Sequence, residues 1–126
     1  MLTIELFESW LIEYGDCWKI GDSEGIRELF SDNAHYYETP FDDPMVGLEA
    51  IEKYWQEGAR HAQKEVKFSF SGTAIAGNRG FARWSASFVR VPSEKSVEIE
   101  GFLEAEFTSS GLCSSFREWW HRKESA

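Results

Sequence analysis

Cysteine is scarce in this sequence, with only Cys17 and Cys113 among 126 residues. Two widely separated cysteines do not make the dense spacing of a disulfide framework, so we expect reduced thiols and a cytoplasmic protein. No apolar run approaches the ~20 residues that a membrane-spanning helix needs. The N-terminal segment has acids where a signal peptide has a basic start. We therefore predict a protein that neither crosses a membrane nor is exported.

Positive charge is also scarce, because 13 Lys and Arg stand against 22 Asp and Glu, for a formal net charge of −9. The basic residues form no dense cluster, whereas nucleic-acid binding needs a cationic stripe that replaces phosphate counterions. Anionic membrane surfaces are disfavoured for the same reason, and the net charge repels anionic substrates. Neither nucleic acid nor membrane is an expected partner. The length is that of one domain, so we predict a single domain over residues 1–126.

Aromatic residues are abundant, at 16% of the chain. Near the N-terminus they recur at helical spacing, which predicts an amphipathic helix over about 3–19 that ends at Gly21. A second helix is expected over 23–30, capped by Asp22, and a third over about 48–60. The aromatic residues on the face of the first helix are Phe7, Trp10, Tyr14 and Trp18.

After the third predicted helix, apolar and polar residues alternate with a period of two, which predicts half-buried strands. The segments GNRG, PSEK and SSG are expected turns, and AHYY is an expected short strand. Helices followed by hairpin strands predict an α+β fold, with the helices packed on one face of a curved antiparallel sheet. The alternation predicts that Trp84, Phe88, Leu103, Phe116, Glu118 and Trp120 face inward.

Four segments that together span nearly the whole chain carry a family resemblance: YGDCWKIGDSEGIRELFSDNAHYYETPF, GLEAIEKYW, ARWSASF and FTSSGLCSSFREWW. They resemble the nuclear transport factor 2-like superfamily, in its ketosteroid isomerase and polyketide cyclase (SnoaL-like) branch. In particular, they are similar to a bacterial subgroup that ends in REWWH. The resemblance implies a cone-shaped sheet wrapped around three N-terminal helices, with one open end. It also implies a pocket between sheet and helices, and usually a homodimer.

The resemblance does not extend to the reaction of ketosteroid isomerase. That reaction needs a carboxylate base and an oxyanion hole made by a tyrosine and a protonated aspartic acid. By the resemblance, the tyrosine corresponds to Tyr14, the base to Thr39 and the protonated acid to Leu103. Thr39 cannot abstract a carbon-bound proton unaided, and Leu103 has no hydrogen-bond donor. The pocket can therefore be inherited without the reaction.

Glu118 is the strongest catalytic candidate, because alternation places it between Phe116 and Trp120 on the inward face. Burying an ionised carboxylate costs several kcal/mol, so this group must be paired, hydrogen-bonded, near water or protonated. A carboxyl with a raised pKa in an apolar pocket is a natural general acid or base. The alternatives are an ion pair with a helix arginine such as Arg27, or a position at the wet mouth.

His35 is the second candidate, because its imidazole titrates near neutral pH. Alternation puts His35, Tyr37 and Thr39 on one face of the short strand, and Tyr36 and Glu38 on the other. The resemblance favours the first set as the one that faces the pocket. The alternative is a histidine on the rim with a solvated glutamate beside it.

The predicted pocket combines these positions with the helix aromatics, and Tyr14 would donate its phenol hydrogen to an oxyanion. No metal or cofactor site is predicted, since Asp42 and Asp43 are typical of a solvated proline turn. The predicted lining is Tyr14, Trp18, Tyr37, Thr39, Trp55, Trp84, Phe88, Leu103, Phe116, Glu118 and Trp120.

The outward face of one strand carries four glutamates around Phe102. Like charges on one strand face repel each other, and an exposed Phe among them is typical of a surface that meets another subunit. We expect a homodimer through this outer sheet face, with a solvated charged face as the alternative. The four acids are Glu98, Glu100, Glu104 and Glu106.

Three hypotheses for the function follow. The first is a protein that binds a small apolar or aromatic molecule in the cone pocket. The second is an enzyme (an isomerase, cyclase or hydratase) that uses Glu118 or His35 as acid/base in the same pocket. The third is a non-catalytic dimerisation module, which would have a filled interior without a cavity of ~300 Å³.

Overall fold

The computed structural model describes residues 1–125, in which three α-helices pack against a curved six-stranded sheet. The helices are α1 (Ile4–Ile20), α2 (Ser23–Arg27) and α3 (Leu48–Trp55), and α3 continues into a π-helical turn (Gln56–Arg60). The strands are β1 (Phe30–Tyr37), β2 (Met45–Val46), β3 (Gln63–Ala76), β4 (Arg79–Arg90), β5 (Ser96–Phe107) and β6 (Cys113–Ser125). The predicted α+β fold is confirmed.

Local chemistry sets the ends of the first two helices. The Thr3 hydroxyl accepts a hydrogen bond from the Leu6 N–H at 3.1 Å, which satisfies one of the free donors at the start of α1. Gly21 ends α1 with a left-handed φ of 68°, and Asp22 caps α2. The second helix is shorter than predicted, because Phe30 already belongs to β1.

The sheet has the strand order β2-β1-β6-β5-β4-β3. Strands β3 to β6 form consecutive antiparallel hairpins, whereas β1 joins the edge of β6 in parallel. This arrangement brings the first strand of the chain beside the last one. Side chains of β1 and β6 can therefore meet over the inner face of the sheet.

A row of inward residues crosses three strands at the middle of the sheet. Trp84 is paired with Gly101, which is paired with Trp120. A Cβ atom at position 101 would lie 2.5 Å from Cε2 of Trp84, which is closer than real contacts allow. Gly101 therefore leaves the space in which the Trp84 indole lies against the sheet.

Aromatic rings fill much of the space between α1 and the sheet. Trp10 and Tyr14 stack with ring centroids 5.4 Å apart, and Tyr14 also contacts Trp55 at 5.3 Å. Phe116 lies beneath them and is fully buried. Burying such rings is the main favourable contribution to the stability of a domain of this size.

The outer face of the sheet keeps two large apolar side chains in solvent. Phe102 is 46% exposed and Trp119, its partner across β5 and β6, is 41% exposed. Phe81 stacks on Phe102 with ring centroids 6.5 Å apart. On the same face, the Arg117 guanidinium lies 3.8 Å from the centre of the Tyr37 ring.

Candidate functional site

A cavity of about 180 Å³ lies between the helices and the inner face of the sheet. An engineered apolar cavity of about 150 Å³ binds benzene, so this space suits a single ring rather than a polycyclic compound. It is smaller than the ~300 Å³ at which the range for drug-sized ligands begins, so its volume alone falls on the side of the third hypothesis, the dimerisation module, although the interior is not filled. Seven residues of the predicted lining do line it: Tyr14, Trp18, Trp55, Trp84, Phe88, Glu118 and Trp120.

Glu118 is the central group of this cavity. Its side chain projects from the inner face of β6, opposite Leu103 of β5, and is only 6% exposed. The Tyr14 hydroxyl of α1 donates a hydrogen bond to Glu118 Oε1 at 3.3 Å. Burial raises the pKa of Glu118 to about 8, and the negative charge of Glu38 adds to the increase, while the Tyr14 hydrogen bond opposes it. This carboxyl is therefore largely protonated at neutral pH.

Two buried tyrosine hydroxyls extend the network from Glu118. The Tyr14 and Tyr36 hydroxyl oxygens lie 3.0 Å apart and share a hydrogen bond. Burial, with the charge of Glu118, raises the pKa of both phenols well above the ordinary value. Both hydroxyls therefore keep their protons and can donate hydrogen bonds to an oxygen that gains negative charge.

A second carboxyl, Glu38, lies just beyond the end of β1. The Tyr54 hydroxyl of α3 donates a hydrogen bond to Glu38 Oε2, so this carboxyl acts as an acceptor. The indole N–H of Trp120 donates to the backbone carbonyl of Glu38 at 2.9 Å. These two contacts hold the end of β1 against the cavity. The cavity thus has a protonated carboxyl and an acceptor carboxyl in its wall, the arrangement that acid/base catalysis uses.

Three indoles of the lining differ in how their N–H groups are satisfied. Trp18 Nε1 donates to Gln63 Oε1 at 2.7 Å. Trp55 Nε1 and Trp84 Nε1 are buried and have no hydrogen-bond partner within residues 1–125. An unpartnered buried donor costs free energy that a small rearrangement toward a bound acceptor can recover.

Arginines occupy the far ends of two strands that border the cavity. Arg90 and Arg122 both contribute to its lining, from β4 and β6 respectively. Arg90 Nε is paired with Glu124 at 2.6 Å. The Arg122 guanidinium lies 5.8 Å from the centre of the Trp120 ring and is mostly in solvent. The cavity therefore has the buried carboxyl of Glu118 and the half-buried carboxyl of Glu38 in its wall, with guanidinium groups toward solvent.

The short strand β1 turns toward the cavity the face that was expected to point away from it. Tyr36 and Glu38 line the cavity, whereas His35, Tyr37 and Thr39 do not. His35 Nδ1 lies 3.1 Å from the Asn33 carbonyl, and its ring stacks beside Tyr37 on the outer side. Both faces of this strand carry aromatic residues, so alternation alone cannot decide which face turns inward.

Two further predicted lining residues lie in the core instead. Leu103 and Phe116 are fully buried, but neither contacts the cavity. Leu103 packs beside Glu118 across the β5–β6 pair. Phe116 stacks against Tyr36 with ring centroids 4.9 Å apart. They provide the apolar surroundings of the carboxyl rather than a surface for a ligand.

The sequence reasoning missed several polar residues of the cavity. Arg90 and Arg122 continue the inward alternation of Phe88 and Trp120, and that signal could have identified them. Tyr54 lies next to Trp55 on α3, at helical spacing from Leu48 and Ile51, but the spacing did not assign it to the pocket. The full set of missed lining residues with polar side chains is Tyr36, Glu38, Tyr54, Gln63, Arg90 and Arg122.

A metal site and a cysteine nucleophile are both weakly supported within residues 1–125. These residues contain no group of three or more His, Cys, Asp or Glu arranged to hold a metal ion. Burial raises the pKa of the Cys17 thiol to about 11 and that of Cys113 higher still, which makes both poor nucleophiles. In the same part of the chain, no helix has the length and apolar character to cross a bilayer.

Comparison with known proteins agrees with the fold. The chain superposes on the solved structure of SalBIII, described as an epoxide hydrolase/cyclase-like enzyme in pyran ring formation in the polyether salinomycin, with a TM-score of 0.79. The match covers 90% of this chain and 89% of that chain at 21% sequence identity, which shows a common fold. No curated protein matches the sequence. The family model of the SnoaL-like domain matches residues 11–115, so this chain belongs to the SnoaL-like family of the nuclear transport factor 2-like superfamily.

Proposed function

We propose that this protein is an acid/base enzyme, of the isomerase, hydratase or cyclase type, that acts on a small molecule of about one ring. The observation that carries the proposal is the buried Tyr14–Glu118 hydrogen bond in the wall of an open cavity, with Glu38 close enough to raise the Glu118 pKa. A protein that only packs its core has little use for a buried carboxyl at position 118 with a second, half-buried carboxyl nearby, because burying a carboxyl costs stability.

The proposed roles follow from the protonation states. Glu118 donates its proton to a carbonyl or epoxide oxygen of the substrate, while the Tyr14 hydroxyl stabilises the negative charge that develops there. Glu38 accepts a proton, either from a carbon atom next to a carbonyl or from a water or hydroxyl that attacks an epoxide carbon. In the epoxide case a new C–O bond forms as the ring C–O bond breaks. The proton then returns from Glu38 to Glu118.

The aromatic lining supports a substrate with an apolar ring. Trp18, Trp84 and Phe88 offer flat surfaces that favour such a ring. SalBIII, which shares the fold, is described as an epoxide hydrolase/cyclase-like enzyme, and this supports the choice of epoxides among the test substrates. The cavity volume of about 180 Å³ favours small substrates over steroids and other polycyclic compounds.

The proposal is tested with two single-ring probes, cyclohexanone and cyclohexene oxide. NMR follows hydrogen–deuterium exchange next to the carbonyl of the first and hydration of the second. Positioned acid/base groups contribute a factor of about 10² to 10⁴, so we expect E118Q to lose that much of the rate. The control is E98Q, which removes a glutamate from the exposed outer side of the sheet. Equal rates for the wild type and E118Q would contradict the proposal.

A second candidate is binding without turnover. The small volume and the mainly aromatic lining favour it, because a ring can be held by apolar contacts alone. Calorimetric titration with cyclohexanone separates the two candidates. Binding that survives in E118Q, in a protein that turns over neither probe, indicates a binding protein.

We also propose that the protein forms a homodimer through the outer face of the sheet. The support is the exposed pair Phe102 and Trp119, with a groove of about 680 Å³ beside it. Serines form the floor of this groove, and both acidic and basic side chains surround it, which allows a two-fold related copy to match opposite charges. The outward-facing groove residues with charged or serine side chains are Lys67, Ser69, Ser85, Ser87, Glu98, Glu100 and Lys123.

A further inference from the structure

The mouth of the cavity carries an excess of positive charge in a strongly acidic chain. Arg90 and Arg122 both line the cavity, and both hold the pKa of the single carboxylate Glu124 below its ordinary value, Arg90 more strongly through a direct hydrogen bond. Glu124 is paired with Arg90 at 2.6 Å. Arg122 makes no ion pair with any residue in 1–125, so one guanidinium remains available.

The position of Arg122 on β6 places its charged group near the entrance. It follows Trp120 at the next inward position of β6, and its guanidinium lies 5.8 Å from that indole ring. Trp120 is itself fixed by its hydrogen bond to the Glu38 carbonyl at 2.9 Å. The guanidinium is thus within cation–π range of the ring and open to solvent, and its planar N–H donors match the two oxygens of a carboxylate.

We infer that the small molecule bound in this cavity is a monocarboxylate, with its carboxylate at Arg122 and Arg90 and its ring in the aromatic interior. This inference rests on the proposed function and adds the chemical class of the ligand. At the ends of β4 and β6, the two guanidinium groups and the Glu124 carboxylate leave one positive charge, which one ligand carboxylate neutralises. Glu38 and Glu124 nearby disfavour a dianion such as a phosphate monoester.

A ligand held in this way has a fixed orientation. A carboxylate at the ends of β4 and β6 places the opposite end of the molecule deeper in the cavity, toward Tyr14 and Glu118. The reacting group would therefore lie at the uncharged end of the substrate.

The test compares benzoate with benzamide, which has nearly the same shape and no charge. Calorimetric titration at neutral pH measures the dissociation constant of each for the wild type, R122Q and R79Q. Hydrogen bonds to charged groups are worth about 1.5–3 kcal/mol, so we expect R122Q to weaken benzoate binding about 10- to 100-fold and to leave benzamide nearly unchanged. Arg79 lies at the other end of β4, where it pairs with Glu104 and Glu106, so R79Q controls for the loss of one positive charge.

Three outcomes are distinguishable. A preference for benzoate that R122Q removes, that R79Q keeps and that falls with added salt supports the inference. Equal binding of the two probes, with no effect of R122Q, overturns the monocarboxylate while the proposed cavity function stands. Failure of both probes to bind at millimolar concentration also overturns the monocarboxylate, and the cyclohexanone and cyclohexene oxide assays then decide the proposed function separately.

Discussion

Glu118 should make the stability of the folded protein depend on pH in a way that one substitution removes. Its pKa is about 8 in the folded protein and close to 4.5 in the unfolded chain, so the folded state holds this proton more tightly. The contribution to the free energy of unfolding is full below pH 4.5 and is lost progressively as the pH rises to about 8. The difference between the two values, at 1.36 kcal/mol for each pKa unit, corresponds to roughly 5 kcal/mol.

The variant E118Q keeps the shape of the side chain and an oxygen that accepts from Tyr14, but it cannot ionise. Urea unfolding between about pH 5.5 and pH 9 avoids the region near the isoelectric point of 4.8, where solubility is lowest. Within this window we expect the wild type to lose about 3 kcal/mol relative to E118Q. Groups that titrate equally in both proteins contribute equally to the two free energies of unfolding, so their contributions cancel in the difference.

A control variant removes an exposed glutamate from the first helix. Glu13 lies on the exposed side of α1, away from the proposed interface, so E13Q measures the effect of one fewer negative charge. Free energies of unfolding for the wild type and E118Q that run parallel across the whole pH range would refute the reasoning. They would mean that the carboxyl is hydrated or paired in solution and is not held in an apolar wall.

Three further predictions concern neighbouring parts of the molecule. Y14F removes the hydrogen bond that lowers the Glu118 pKa, so carboxyl ¹³C NMR should show that pKa rising further, and a decrease would contradict the proposed contact. G101A places a methyl group against the Trp84 indole and should cost about 1–3 kcal/mol in urea unfolding, whereas G58A meets nothing within 4 Å and should cost far less. F102K should convert a dimer to a monomer in light-scattering measurements, and an unchanged mass would exclude the outer face as the interface.

Alternation along the long strands was enough to place the central carboxyl. Strand β6 alternates Phe116, Glu118 and Trp120, and its hairpin partner β5 has a clear apolar face, so the inward side of β6 followed from its pairing. The prediction of an amphipathic α1 was similarly secure, because one of its faces carries four aromatic residues. These elements are long, and each has one face that must be buried.

The short strand β1 could not be assigned in the same way. Its pairing with β6 contains an irregularity between Phe30 and His35, which shifts the alternation relative to a simple ladder. Both possible inward sets contain a tyrosine, and the outward one is stabilised by Arg117 over Tyr37. Only the three-dimensional pairing decides between the two faces, and it selects Tyr36 and Glu38.

The size of the cavity was also beyond the reach of the sequence. Composition fixes how many rings the interior holds but not how closely they pack. Edge-to-face contacts of Tyr14 and Trp18 with Trp55, with ring centroids 5.3 and 5.6 Å apart, leave less space than a ring count suggests. The hydrogen bond between Tyr54 and Glu38 joins α3 to the segment after β1 and has no local sequence signature.

The hydrogen bond between Tyr14 and Glu118 joins residues that are 104 positions apart, one on the first helix and one on the last strand. A partly folded chain that has formed only its hairpins, or only its helices, does not form the hydrogen bond between Tyr14 and Glu118. Activity would therefore report completion of folding rather than the presence of any single segment. Local unfolding of either end of the chain would separate Tyr14 from Glu118. The activity would then be lost before the rest of the sheet unfolds.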